Sequence, residues 1–120
     1  MVTQTIFYEG YDVEVSVGSD AWVLKGWDTN GPFENTNNKT INMAAGSIIK
    51  FIINDTSGHA FWIKTSNSTG KSNAVTGTSV VFANTGRSSG YILFSPPSAG
   101  TYYYNCEHHQ LMSGQIIVAS

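Results

Sequence analysis

The residues with chemical potential crowd near the end of the chain, in Thr101-Tyr-Tyr-Tyr-Asn-Cys106-Glu-His108-His109-Gln-Leu-Met112-Ser-Gly114. Cys106 is the only cysteine, and two imidazoles and a thioether follow it within six residues. Thiolate, imidazole and thioether are the soft and borderline donors that suit copper. A stretch of strand character, Thr101–Asn105, runs into the cysteine, and another, Gln115–Val118, leaves the loop. The donors are therefore expected to be anchored at both ends. Period-two alternation puts Tyr102, Tyr104 and Cys106 on one face, so the thiol is expected in aromatic, water-poor surroundings.

A trigonal site of one thiolate and two imidazoles with a long axial thioether is a familiar copper arrangement. The only histidine outside the loop is His59, in Asn54-Asp-Thr-Ser-Gly58-His59-Ala-Phe-Trp-Ile63, 47 residues before Cys106. The set that fits the count is His59, Cys106, His109 and Met112. On spacing alone His108 could replace His109. Glu107 reads as a solvated carboxylate, with oxygen ligation as its lesser alternative. Each residue also has a plain structural reading: Cys106 as a small buried hydrophobe, His59 as a structural histidine, Met112 as core packing. Their concurrence in one loop favours the metal.

The elements that would hold these donors read as strands. Alternation and β-branched or aromatic runs mark Thr3–Tyr8, Asp12–Val17, Ala21–Trp27, Thr40–Ala44, Ile48–Asn54, Ala60–Lys64, Thr78–Ala83, Gly90–Ser95, Thr101–Asn105 and Gln115–Val118. Turn signals separate them, among them Gly18-Ser19-Asp20, Asn30-Gly31-Pro32, Asn84-Thr85-Gly86 and Pro96-Pro97-Ser98-Ala99-Gly100. Ile48–Ile53 is, apart from Lys50, apolar on both faces and fits a central strand, whereas Ser66–Thr76 reads as a polar surface excursion. No segment has a helical period. The expected class is all-β, a Greek-key β-sandwich or barrel of about eight strands. Neither an internal repeat nor a linker is present, so residues 1–120 are expected to form one domain.

Composition narrows the function. The formal net charge is -2, with six Lys+Arg against eight Asp+Glu, which argues against a nucleic-acid surface. Charged residues are 12% of the chain, about half the usual share. Ser, Thr, Asn and Gly together supply 48 of the 120 residues, a profile that suits an extracytoplasmic β protein, periplasmic or secreted. No signal peptide opens the sequence, and no apolar stretch approaches the roughly 18 residues of a membrane span. A lone cysteine rules out an internal disulfide framework. Paired carboxylates in a motif, a nucleophile elbow and a phosphate loop are all missing, so a catalytic task is not expected.

Cys106-x-x-His109-x-x-Met112-x-Gly, with a lone upstream His, resembles the cupredoxin family, the type 1 (blue) copper proteins, in its short, amicyanin-like loop form. His59-Ala-Phe61-Trp62-Ile63-Lys64-Thr65 and Tyr103-Tyr104-Asn105-Cys106 are similar to stretches of small cupredoxin-like domains of marine microbes. The resemblance spans Tyr11 to Val118 and is specific around His59 and the Cys–Met loop. It implies one copper ion per chain and one-electron transfer with an unidentified redox protein partner, by a monomer. It also implies His109 in place of His108, with His109 nearest solvent as the electron port beside Leu111 and Ala60. Plastocyanin-like proteins carry Asn after the first His; Ala60 stands there, which alters the hydrogen bonding that ties the two ligand loops together. One cysteine excludes a dinuclear copper centre. A copper-binding or delivery protein without turnover is the alternative function, and a metal-free sandwich serving as an interaction module is another. A redox enzyme would need an open coordination position, against which Met112 argues.

Overall fold

The computed structural model of the chain describes residues 10–54, 56, 58–75, 80–81 and 88–120. The described strands are β1 (Gly10–Gly18), β2 (Ala21–Asp28), β3 (Gly31–Asn37), β4 (Ile41–Ala44), β5 (Ile48–Ile53), β6 (Phe61–Lys64), β7 (Val80–Val81), β8 (Gly90–Phe94), β9 (Gly100–Cys106) and β10 (Ser113–Ala119). They form a six-stranded sheet ordered β3-β2-β1-β5-β8-β7 and a four-stranded sheet ordered β4-β10-β9-β6. The pairs β1–β5 and β4–β10 are parallel and the others antiparallel. No helix occurs among the described residues. The expected strand Thr3–Tyr8 and the turn Asn84-Thr85-Gly86 lie outside the described residues, as does most of Thr78–Ala83.

Alternation decides which side chains enter the core. Val13 and Val15 of β1 are fully buried while Asp12 and Glu14, which alternate with them, face out. Ile116 and Val118 do the same in β10. In β5, Ile49, Phe51 and Ile53 turn inward, and the strand lies between β1 and β8, the central place its apolar run foretold. Trp22, Leu24, Met43, Phe61, Ile63, Ile92, Phe94 and Tyr104 complete one cluster shared by the two sheets.

β3 is the strand that sequence reading does not find. Gly31-Pro-Phe-Glu-Asn-Thr-Asn carries turn residues and little apolar patterning, yet it pairs with β2. Among the described strands it is a sheet edge, where Pro32 faces Trp27 of β2 on one side and has no outer strand to which a missing N–H would matter. The β2–β3 hairpin is pinned by Asp28, whose two carboxylate oxygens accept from the Asn30 and Asn42 amides at 2.8 and 2.9 Å. Where β2 crosses β1, Gly26 leaves room for the Asp12 carbonyl, which any Cβ would strike.

Candidate metal centre

The antiparallel pairing of β6 with β9 sets Phe61 opposite Cys106. His59 precedes β6 by two residues and so arrives beside the thiol. Thr56 holds it there: the His59 amide donates to the Thr56 carbonyl at 3.1 Å, and the Thr56 hydroxyl lies 2.6 Å from the His59 carbonyl. Thr56 is itself buried, with its amide donating to Ser88 at 3.0 Å. The Trp22 ring closes one side, nearly perpendicular to the His59 ring with 6.5 Å between their centroids.

The loop after β9 folds back on itself. The Cys106 amide donates to the Met112 carbonyl at 2.9 Å, and the Met112 amide donates to the His109 carbonyl at 3.1 Å. Trp22 Nε1 donates to the Met112 carbonyl at 3.0 Å, and Asn38 Nδ2 donates to the Leu111 carbonyl at 3.2 Å. These turns bring His109 back over the thiol. Its Nδ1 lies 3.4 Å from Cys106 Sγ, and His59 Nδ1 lies 3.7 Å from the same sulfur. One donor atom from each of the three residues falls within 4.8 Å of the others.

Those separations fit a shared metal ion. Metal–nitrogen and metal–thiolate bonds of about 2.0 and 2.3 Å, meeting between a tetrahedral and a trigonal angle, place N and S about 3.5–3.7 Å apart. The donors are also graded in exposure: Cys106 is buried, His59 half-buried and His109 exposed. Met112 is fully buried in the same loop. The structure thus brings His59, Cys106 and His109 together and seats Met112 in the core behind them.

The two neighbours of Cys106 in the motif do something else. His108 points to solvent, its Nε2 3.0 Å from Glu107 Oε2. Glu107 is not the solvated carboxylate expected of it: its other oxygen accepts from Trp62 Nε1 at 3.1 Å, and its side chain is only 17% exposed. It also lies near the fully buried Lys64, whose ammonium donates to the Ser68 carbonyl at 2.9 Å. Burial pulls the Lys64 pKa below its ordinary value, and Glu107 opposes that shift. The tie between ligand loops that Ala60 cannot make with a side chain is made by backbone instead, the Glu107 amide donating to the Ala60 carbonyl at 3.2 Å.

Sequence reasoning misses the supports Trp22, Asn38 and Thr56. All are distant from the loop in the chain, and no local spacing marks them. The expected surface excursion after β6 is also more than that. Its Asn73 and Val75 extend the β6 edge: the Thr65 amide donates to the Asn73 carbonyl, and the Val75 amide to the Ile63 carbonyl, both at 2.9 Å.

No protein-family model and no curated protein sequence matches the chain. Solved structures do match it. A methionine-to-glutamine mutant of rusticyanin aligns with 92% of this chain and 78% of its own, at 23% identity and a TM-score of 0.54. Auracyanin B aligns over 99% and 94%, at 20% identity and a TM-score of 0.55. Reduced auracyanin from Roseiflexus castenholzii aligns over 91% and 97%, at 17% identity and a TM-score of 0.50. The chain therefore has the all-β fold of the cupredoxins. No helix among the described residues is long and apolar enough to cross a membrane.

Proposed function

We propose that this chain is a mononuclear type 1 copper protein and works as a one-electron carrier. The observation that carries the reading is the pair of Sγ–Nδ1 separations, 3.4 and 3.7 Å, from one buried thiol to two imidazoles. His59, Cys106, His109 and Met112 would hold the copper, supplying one thiolate, two imidazoles and a thioether. Copper, when bound, supplies a Cu(II)/Cu(I) couple.

The protein's part is to hold its donors still. Cys106 ends a strand paired on both sides, with β6 and with β10. Thr56 and the Glu107–Ala60 bond fix His59 relative to it. A scaffold that keeps one donor geometry loses little energy to rearrangement when the charge of the centre changes. The buried aromatic surround, Trp22, Phe61 and Tyr104, excludes water from the thiolate side. His109 reaches solvent next to Leu111, which is 74% exposed, and this edge suits a brief encounter with a redox protein. With so few charges the encounter depends little on electrostatic steering. A single-domain, monomeric carrier outside the cytoplasm fits the composition, and the small cupredoxins it resembles favour a carrier over an enzyme.

The test is one equivalent of Cu(II) added to the metal-free protein and to Cys106→Ser. An intense thiolate-to-copper band in the visible, absent in the variant, is expected, together with a reversible one-electron wave. A colourless wild type overturns the copper reading. A coloured protein that hands copper to an acceptor but shows no reversible wave would make it a delivery protein instead.

A further inference from the structure

The outer face of β6 and β9, turned away from the core, carries Trp62, Lys64 and Asn105, and all three are buried. The polar segment after β6 meets two of them, Lys64 and Asn105. This segment is closed at its base by the Lys64–Ala74 bridge and the Thr65–Asn73 bond, and Lys64 reaches up to the Ser68 carbonyl from below. Its tip grips the chain on both sides of Cys106. Asn67 Oδ1 accepts from Asn105 Nδ2 at 2.7 Å, and the Gly70 amide donates to the Glu107 carbonyl at 2.7 Å. Gly70 has a φ of 82°, a conformation that glycine adopts without strain.

We propose that this segment is a clamp on the metal-binding cysteine, with Asn67 as a positioning residue that acts through Asn105. The inference rests on the reading of Cys106 as the copper thiolate. Asn105 is fully buried, and its carbonyl oxygen Oδ1 has no partner among the described residues, so the bond to Asn67 is the hydrogen bond that orients its side chain. Asn105 and Cys106 share a peptide unit and face opposite ways in β9. A restraint on the buried Asn105 side chain therefore acts through its Cα on the peptide it shares with Cys106. The Gly70 bond restrains the next peptide in the same way. Two fixed peptides on either side leave Sγ one bearing toward the imidazoles. Asn67 itself is exposed, so its replacement removes the bond without opening the core.

The test compares wild type, Asn67→Ala and Asn67→Asp, the last of which keeps an acceptor oxygen. In the metal-free proteins, amide exchange at Cys106 and Glu107 is expected to quicken about fivefold in Asn67→Ala, while Val13 and Val15 stay unchanged. In the Cu(II)-loaded proteins the thiolate band is expected to shift in Asn67→Ala. Asn67→Asp is expected to restore both readouts. If exchange at Cys106 and Glu107 does not change, if all amides quicken equally, or if the band stays in place, the clamp is overturned. A wild type with no thiolate band sinks the copper reading instead, and the exchange data alone then decide the clamp.

Discussion

Trp22 and Met112 stand ninety residues apart in the chain, yet the buried indole N–H of one donates to the carbonyl of the other at 3.0 Å. Trp22 belongs to β2 in the six-stranded sheet, whereas Met112 ends the loop that leaves the four-stranded sheet. The bond spans the core and holds the loop at the point where it turns back to Cys106. The Met112 carbonyl accepts from the Cys106 amide as well, so one oxygen serves both the sheet opposite and the thiol strand.

Replacing Trp22 with Phe keeps an aromatic ring and removes the donor. Loss of a buried hydrogen bond is expected to destabilise the metal-free protein by about 1–3 kcal/mol, read from urea unfolding. A change below about 0.5 kcal/mol, the size of an ordinary surface substitution, would show that the bond contributes nothing.

His108 and His109 are adjacent, but one ring lies against Glu107 and the other against the Cys106 sulfur. His108→Ala should leave copper binding and the thiolate band as they are, because its ring faces solvent and Glu107. His109→Ala should weaken binding by more than the roughly 10–100-fold that outer-shell changes produce. Direct titration with Cu(II) separates the two, and equal losses in both variants would contradict the geometry.

Gly114 packs its missing side chain against a phenol. A Cβ there would overlap the Tyr104 ring, which is buried and bonds through its hydroxyl to the Lys39 carbonyl. Gly114→Ala should therefore cost about 1–3 kcal/mol, the usual range for overpacking. Thermal unfolding checks it, and an unchanged midpoint would mean that Tyr104 yields freely.

Lys64 gives the protein a pH signature. Its folded pKa lies below the unfolded value of 10.5, so between the two the unfolded chain binds the extra proton. Stability from this group therefore rises with pH across that window. The stability difference between wild type and Lys64→Met should grow in favour of wild type as pH is raised toward 10.5. Unfolding free energies measured at several alkaline pH values test the sign; a flat difference would show that Lys64 titrates normally.

Much of this protein is local and so visible in the chain. The alternation of Val13 and Val15, or of Ile116 and Val118, states strand and inward face together, because side chains in a strand change sides at every residue. Cys106, His109 and Met112 lie within one turn-back loop, and their shared neighbourhood needs no long-range contact. The tertiary structure decides everything that depends on pairing. The β6–β9 register delivers His59 to the thiol, and the loop bonds of Met112 to His109 and to Cys106 turn the His109 ring, not that of His108, toward the sulfur. β3 is a strand because β2 offers it an edge, against the leaning of its own residues. The polar run after β6 becomes a cover for Lys64 and Asn105 for the same reason, since hydrogen bonds between distant segments leave no period in the sequence.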